Sequence, residues 1–478
     1  MSKQVETTSE TASGPAPALE VVQPNPTTRL PRWRQRRFQI AAGLAVVALI
    51  AGFLGNNLIA RQYTPDGVVR QYLGALQAGD ASSAWSVIQV SAPAQPAAVS
   101  LTDKSALQAA LAIAKPDIRS FAINATSQID PGTSSVDFSY DTVSGSKQAK
   151  FVAQRSAETH LLLYQGWRVV ITPTMLEINL PNGAGAVAID GKALALPAGK
   201  STVAVLPIAH RIQFGGTDVL AAQTLPVDAF FSAGQSVAYQ PKLTSAGADK
   251  VKAAVKAFLA SCAQNASLAP DKCPQSYSNT FANAVQWQFV GDPTQDLAVG
   301  FDQNLNPAAT GHFQMVVAYQ EPGITGNPHD LSAGGYAASL LLGTSNVTVN
   351  SISSSNGVAD VPRPAGATDQ AAKDLVTKAF TKCAVASGLS PADCPQVLLS
   401  GVADNVRWKL MGDPLAGALV SFDSKTGILT VHGAFEMTPT FTINGYASTS
   451  RSYYDHYYAR LLWDGQALQL VTIVGGFS

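Results

Sequence analysis

The chain has 478 residues, in which 32 Lys and Arg balance 32 Asp and Glu, and 13% of residues are charged against 46% that are hydrophobic. A neutral chain with so few charges lacks the basic surface that nucleic-acid binding requires, so we expect no nucleic-acid partner. At about 100 to 200 residues per domain, this length predicts three or four folded units.

The first 37 residues are rich in Pro, Ser and Thr, which predicts a disordered tail because too little apolar surface is available to offset the entropy of ordering. Residues 38–60 then form a 23-residue stretch without a charge. As a helix it is about 34 Å long, enough to cross a hydrocarbon core of about 30 Å. We therefore predict a transmembrane helix with the lipid bilayer as its partner.

The flanking charges predict how this helix is oriented. Five arginines precede the span and only Arg61 follows it closely. Because positive charge favours the cytoplasmic side, we expect a single-pass protein of the plasma membrane with a cytoplasmic N-terminus and an extracytoplasmic C-terminal region. A cleavable secretory signal is the alternative, although Leu58 is large for an A-x-A-like site ending at Ala60, and whether the span is cleaved stays open.

Two stretches, residues 248–352 and 369–473, repeat one pattern at an offset of 121. In each, apolar residues at helical spacing lead to a cysteine, Cys262 or Cys383, which predicts an amphipathic helix. An alternating strand pattern follows around Trp287 and around Trp408, both expected to be core residues, and each strand ends in Gly-Asp-Pro. Each copy is predicted to be one helix, a cysteine-bounded loop and about four strands.

The four cysteines occupy the same two places in each copy, Cys262 with Cys273 and Cys383 with Cys394, each pair 11 positions apart. Outside the membrane this arrangement predicts two local disulfides. A metal site or a redox pair is disfavoured, because C-x-x-C spacing and nearby histidines are lacking. We expect no metal and no cofactor.

Residues 65–177 show a helical face that ends at Gly79, then Asp80 as the cap of a second helix carrying Trp85 and Ile88, and then four strand-like runs. The opening GVVRQYLGALQAGDASSAW resembles the start of the cone-shaped α+β fold of the nuclear transport factor and ketosteroid isomerase superfamily. That resemblance implies a cone-like module.

Residues 178–241 alternate short strand patterns with turns, which predicts a small β-sandwich. The fold class expected for the whole chain is α+β. The predicted segments are a disordered tail (1–37), a transmembrane helix (38–60), a cone-like α+β module (61–177), a small β module (178–241), α+β repeat 1 (242–356) and α+β repeat 2 (357–478).

This order of segments resembles that of actinobacterial single-pass, membrane-anchored envelope proteins, and more loosely that of the teicoplanin-resistance-associated membrane proteins. An N-terminal zinc ribbon is missing from the sequence. The resemblance implies a location outside the membrane and assigns no activity.

Three short motifs occur in the order found in penicillin-recognising enzymes: Ser144-Gly-Ser-Lys147, Ser354-Ser-Asn356 and Lys425-Thr-Gly427. The nucleophile of those enzymes begins a helix, whereas Ser144 lies in a polar turn, and the motifs fall in three different modules. We therefore predict no catalytic residues of this kind. Six scattered histidines lack paired-ligand spacing, and Gly334-Gly335 is interpreted as part of a loop.

Carboxylates recur at matching places in both copies. Asp292 and Asp413 of the Gly-Asp-Pro tripeptides are predicted turn formers. Asp302 and Asp423 follow an apolar strand, and isomerase-type cones hold an acid inside their pocket, so a buried acid with a raised pKa is one hypothesis and a turn at the strand end is the other.

An aromatic cluster near the C-terminus is the candidate recognition surface. Five rings in six positions place some rings on each face of a strand, which leaves part of them exposed, while packing at a sheet edge is the alternative. The cluster consists of Tyr453, Tyr454, His456, Tyr457 and Tyr458.

These patterns predict a non-enzymatic protein of the bacterial cell envelope that binds or scaffolds through its repeated modules, with a cell-wall polymer or an envelope protein as partner. The alternatives are a ligand-binding or enzymatic cone that uses a carboxylate, and a transmembrane signalling adaptor whose threonine-rich tail is phosphorylated.

Overall fold

The computed structural model describes residues 61–114, 117–143, 145–160, 164–230, 234–400, 402–449 and 453–476. The predicted tail and transmembrane helix, residues 1–60, lie outside this part of the chain. Among the described residues, no helix combines the length and apolar character needed to cross a membrane. Strands predominate and a few helices pack on them, so the described chain has an α+β fold.

The N-terminal module combines three helices and one five-stranded sheet, of order β1-β6-β5-β4-β3, around one core. The first helix contacts four of these strands. Its helices are α1 (Pro65–Ala78), α2 (Ala81–Ser86) and α3 (Lys104–Ile113), and its strands are β1 (Ile88–Val90), β2 (Val99–Leu101), β3 (Ser120–Asp130), β4 (Thr133–Thr142), β5 (Gly145–His160) and β6 (Tyr164–Ile171).

Local sequence explains the start of this module. Thr64 caps α1 by accepting a hydrogen bond from the Gly67 amide, and Gly79 ends the helix at φ 75°. Asp80 accepts hydrogen bonds from the Ser82 and Ser83 amides in the first turn of α2, which confirms it as a cap. Ile88 begins β1 and does not belong to a helix.

The following β module contains two four-stranded sheets, β13-β7-β10-β2 and β12-β11-β8-β9, that contribute to one core. Strand β2 reaches in from the N-terminal module and pairs in parallel with β10, and the expected boundary at 177/178 falls inside β7. The strands are β7 (Thr174–Leu180), β8 (Val187–Ile189), β9 (Lys192–Leu194), β10 (Gly199–Val205), β11 (Ala209–Phe214), β12 (Gln223–Asp228) and β13 (Gly234–Val237).

Repeat 1 packs one helix on a sheet of order β14-β16-β17-β18, with β15 also paired to β16. Its buried side chains join those of the β module in a single core, so these two segments form one packed unit. Its elements are α4 (Ser245–Ala263), β14 (Asn283–Phe289), β15 (Ala298–Phe301), β16 (Pro307–Gln320), β17 (His329–Leu342) and β18 (Val347–Ser354).

Repeat 2 has the same plan, with the order β19-β21-β23-β24 and with β20 and β22 paired to β21, around a core of its own. Its elements are α5 (Asp369–Ala384), β19 (Asp404–Met411), β20 (Leu419–Asp423), β21 (Ile428–Ile443), β22 (Tyr446–Thr449), β23 (Tyr453–Trp463) and β24 (Leu468–Gly476).

The two repeats also share individual contacts. Trp287 Nε1 donates to the Ser267 carbonyl at 2.9 Å, and Trp408 Nε1 donates to the Gly388 carbonyl at 3.0 Å. Both indoles are buried, as predicted. Each repeat also contains its disulfide, Cys262–Cys273 or Cys383–Cys394, which confirms the predicted pairing.

The two repeats are docked directly on each other. The loop after β16 places Thr325 beside the cysteine loop of repeat 2, where its amide donates to the Ser390 carbonyl and its carbonyl accepts from the Ala392 amide, both at 3.0 Å. His329 Nδ1 lies 2.8 Å from Asp393 Oδ2. These bonds join the two repeats directly, and a cleft lies between the repeats.

Candidate functional site

An aromatic row covers part of the outer face of the repeat 2 sheet. Alternation along β23 turns Tyr454, His456 and Tyr458 outward, and Tyr454 is 66% exposed and Tyr458 is 41% exposed. His432 on β21 lies directly opposite Tyr458, with ring centroids 4.7 Å apart and an interplanar angle of 15°. We call these four residues the aromatic row.

The row is continuous from ring to ring. His432 also stacks on His456 at 5.8 Å between centroids, and His456 meets Tyr454 edge to face at 6.4 Å. At the end of the row, Arg460 Nη1 lies 2.6 Å from Asp330 Oδ1 of repeat 1, so an ion pair between the repeats borders this face. The aromatic row therefore lies next to a contact between the two repeats.

Tyr457 does not belong to this surface. It is fully buried, its hydroxyl donates to the Pro414 carbonyl at 2.9 Å, and its ring packs on Phe380 at 4.8 Å between centroids. The physical reason is the period of two along a strand, which turns Tyr457 inward when its neighbours point outward. The side chain of Tyr453 lies outside the described residues.

The two candidate acids at strand ends are exposed turn residues. Asp302 accepts hydrogen bonds from the amides of Asn304 and Asn306 and from the Asn306 side chain, and these bonds lower the pKa of the Asp302 carboxyl. Asp423 accepts from the Lys425 amide and the Thr426 hydroxyl. Neither is the buried acid that the pocket hypothesis requires.

The Gly-Asp-Pro aspartates are turn formers, as predicted. Asp292 Oδ1 accepts from the amide and the hydroxyl of Thr294, and the hydroxyl bond is the main reason why the pKa of Asp292 is lowered. Asp413 Oδ1 accepts from the Leu415 amide at 2.9 Å.

Two of the three penicillin-type motifs meet in space, although they belong to different repeats. Ser354 and Asn356 line a cavity of about 290 Å³ together with Lys425 and Thr426. Lys425 is engaged in an ion pair with Asp360. Ser144 lies outside the described residues, and Lys147 of that motif pairs instead with an aspartate of the β module, at 3.6 Å.

A larger cavity of about 490 Å³ adjoins the first, and His312 lines both. Its walls include Trp463 and Phe422 of repeat 2 and Arg363 of the segment 355–368, which connects β18 to α5 and is called the linker below. Gly334-Gly335 belongs to β17 and not to a loop as expected. Gly335 lies opposite His312, and a Cβ at Gly335 would come within 2.5 Å of the Ser355 carbonyl oxygen. Only glycine allows the linker to cross the sheet at this point.

His312 is held by Asp296, whose Oδ2 lies 2.5 Å from Nδ1 and whose Oδ1 accepts from the His312 amide at 3.2 Å. Because a carboxylate only accepts, Nδ1 carries a proton, and in the neutral imidazole Nε2 is then an acceptor. Nε2 is shielded from solvent and has no hydrogen-bond partner within the described chain. By contrast, both ring nitrogens of the buried His210 are bonded, to Asp190 and to the Leu206 carbonyl.

Sequence reasoning missed His312, since its partner Asp296 is 16 positions away and no ligand spacing connects them. A comparison of the two copies could have found the pair, because both positions differ together: repeat 2 has Ala434 in place of His312 and Gly417 in place of Asp296. No group of three or more metal-ligating side chains is found in the part of the chain that is described.

Comparisons with known protein families, curated proteins and solved structures find no match for this chain.

Proposed function

We propose that this chain is a single-pass, membrane-anchored protein of the bacterial cell envelope that binds a cell-wall polymer without catalysing a reaction. In this proposal residues 38–60 anchor it, the first 37 residues are cytoplasmic, and the modules from residue 61 onward are extracytoplasmic. The observation that carries the proposal is the aromatic row, whose exposed rings are held on a rigid sheet.

The chemistry of the row suits a glycan. The face of an aromatic ring carries negative electrostatic potential, which attracts the C–H groups of a sugar ring. Tyr hydroxyls and His ring nitrogens at the edges can donate to and accept from sugar hydroxyls. Rings of Tyr454, His456 and Tyr458 project from alternate positions of one strand, about 7 Å apart along it, so that they can follow an extended chain.

The location outside the membrane is supported by the two disulfides, since such bonds persist in oxidising compartments. The order of predicted segments, which resembles that of actinobacterial envelope proteins, points the same way. The teicoplanin-resistance-associated resemblance and the cone-like character of the N-terminal module are part of this proposal.

The test uses the full chain in detergent and purified, protein-free cell-wall fragments, with sedimentation as the readout. Wild-type protein should cosediment, and the double variant Tyr454→Ala and Tyr458→Ala should lose at least ten-fold in retention. Tyr446→Ala is the matched control, because Tyr446 is a tyrosine of the same repeat, 80% exposed and outside the row. Equal retention of all three proteins would contradict the proposal.

Ligand binding is the second candidate function, and the cleft between the repeats is the specific observation that favours it. Its walls combine two aromatic side chains with several polar groups.

A further inference from the structure

The cleft between the repeats has the size and shape of a small-molecule site. It consists of two adjoining cavities of about 490 and about 290 Å³ with His312 in the wall of both. Pockets that hold a small ligand in proteins measure about 300–1,000 Å³ and combine aromatic walls with a few polar groups. This cleft is separate from the aromatic row, and the inference below does not rest on the row.

Every charged side chain in the walls is already engaged by another side chain. In the walls of the larger cavity, Asp292 pairs with Lys256 and Arg363 pairs with Asp369, while Asp296 accepts a hydrogen bond from His312 Nδ1; in the walls of the smaller cavity, Lys425 pairs with Asp360. A charged ligand would have to break one of these pairs to gain a partner, and its own dehydration would add to the cost. The charge distribution therefore favours an uncharged ligand.

The uncharged groups of the cleft are those that recognise hydroxyls. Trp463 is half-buried in the wall of the larger cavity, with Gly366 packed against its six-membered ring. The Trp463 Nε1 makes no hydrogen bond within the residues that the structure describes, so this side chain offers both an unused N–H donor and an aromatic ring. Phe422 adds a second aromatic ring, and the Gln314 side chain donates to the Thr426 carbonyl, which ties the turn of repeat 2 to the cleft.

His312 supplies an acceptor of complementary chemistry. Its side chain is only 10% exposed, Asp296 fixes the ring, and Nε2 has a lone pair with no donor among the described residues. A buried acceptor without a donor is unfavourable, so a ligand hydroxyl that donated to Nε2 would remove that cost. Because Nε2 is shielded from solvent in this structure, a ligand hydroxyl reaches it only when the side chains around it shift.

We propose that the cleft between the two repeats binds an uncharged, polyhydroxylated ligand, a short saccharide, which stacks on Trp463 and donates a hydroxyl to His312 Nε2. The row on the outer face of repeat 2 and this cleft would then be two independent glycan contacts on one rigid unit.

The experiment measures binding of the full chain in detergent to a printed array of neutral tetrasaccharides of N-acetylglucosamine, mannose, glucose and galactose, with phosphorylated and uronic-acid tetrasaccharides and short peptides on the same surface. At least one neutral tetrasaccharide should bind. Trp463→Ala should weaken that binding at least ten-fold, and Tyr446→Ala, at an exposed tyrosine of repeat 2 that lines neither the cleft nor the aromatic row, should leave it unchanged.

A matched pair of variants tests the role of His312. Asn can reproduce the Nδ1 donor to Asp296 but places nothing at Nε2, whereas the Gln side chain reaches the Nε2 position. His312→Asn should therefore lose at least ten-fold in affinity, and His312→Gln should retain more than His312→Asn.

Three results would overturn the proposal: exclusive binding of charged saccharides or peptides, absence of any binding to the array, or neutral-saccharide binding that Trp463→Ala leaves intact. If Tyr454→Ala weakened saccharide binding and Trp463→Ala did not, the binding site would be the aromatic row and the proposal for the cleft would be wrong. Circular dichroism of each variant separates loss of binding from loss of fold.

Discussion

Tyr457 and Tyr454 are three positions apart on β23, yet the structure predicts opposite consequences for their loss. Tyr457 is fully buried against Phe380, and its hydroxyl satisfies the Pro414 carbonyl. Replacement of a buried aromatic residue by Ala costs about 3–5 kcal/mol, through lost burial and the cavity left behind. Replacement of the 66% exposed Tyr454 should change the free energy of unfolding by less than about 0.5 kcal/mol.

Hydrogen–deuterium exchange read by mass spectrometry can test this prediction repeat by repeat, because it reports local opening free energies in a chain with several units. In Tyr457→Ala, a loss of at least about 3 kcal/mol should speed exchange of the most protected α5 amides by about 100-fold, since 1.4 kcal/mol is a factor of ten. The corresponding α4 amides of repeat 1 should change far less. Tyr454→Ala should alter neither helix by more than about two-fold.

The two variants should rank in the reverse order in binding to cell-wall fragments, once binding is corrected for the folded fraction. Tyr454→Ala should lose more binding than Tyr457→Ala, since only Tyr454 reaches the surface. The account would be refuted if Tyr454→Ala destabilised α5 as much as Tyr457→Ala, or if α5 exchanged at the wild-type rate in Tyr457→Ala. Either result would mean that the inward and outward faces of β23 are assigned incorrectly.

Three further perturbations have defined outcomes. The double variant Cys262→Ala and Cys273→Ala should destabilise repeat 1 by about 3 kcal/mol, from the entropy of a loop of this length, as judged by urea unfolding of oxidised wild type and variant. Burial raises the pKa of Tyr457 to about 12, whereas an unfolded tyrosine titrates near 10. The contribution of the protonated Tyr457 to stability is therefore complete below about pH 10 and is lost as the pH rises toward 12. When the midpoint temperature of unfolding is measured between pH 8 and pH 11.5, it should fall less steeply above pH 10 in Tyr457→Phe than in the wild type. Gly311→Ala places a Cβ 2.8 Å from the buried tyrosine hydroxyl that faces it and should cost about 1–3 kcal/mol, whereas Gly300→Ala, with nothing within 4 Å, should be close to neutral in the same urea assay.

Much of the fold could be predicted from patterns that repeat or have a fixed local meaning. The two copies, their disulfides and the buried Trp287 and Trp408 follow from spacing alone, as does Asp80 at a helix start. These features depend on residues close in sequence, where helix periodicity, strand alternation and capping act directly.

The sequence contains enough information to place Tyr457 on the inward face of β23. Ala459 and Leu461 continue its side of the strand, and the equivalent position in the first copy is also tyrosine, Tyr336. Both hydroxyls donate to the carbonyl of the Gly-Asp-Pro proline, so this tyrosine is a core feature of the repeat. The number of aromatic residues in the cluster does not tell which of them point outward, and the expectation that Tyr457 belongs to the exposed surface was wrong for this reason.

The cleft could not be predicted, because its parts come from distant places in the chain. Trp463 and His312 are 151 positions apart, and Gly335 makes room for a linker that the sequence pattern does not orient. The docking of the repeats decides which sheet face is covered. Docking relies on contacts such as the ion pair of Arg460 with Asp330, and no local sequence pattern predicts such a contact.

Nuclear magnetic resonance of the histidine rings would test the central claim most directly, since the chain has six histidines and two of them belong to the aromatic row. With the full chain labelled at histidine and titrated with solubilised, protein-free wall glycan, the resonances of His432 and His456 should shift in a saturable manner. The buried His210 in the β module should stay unchanged. Saturable binding that leaves the His432 and His456 resonances unmoved, or no binding at all, would contradict recognition of a wall polymer by the aromatic row.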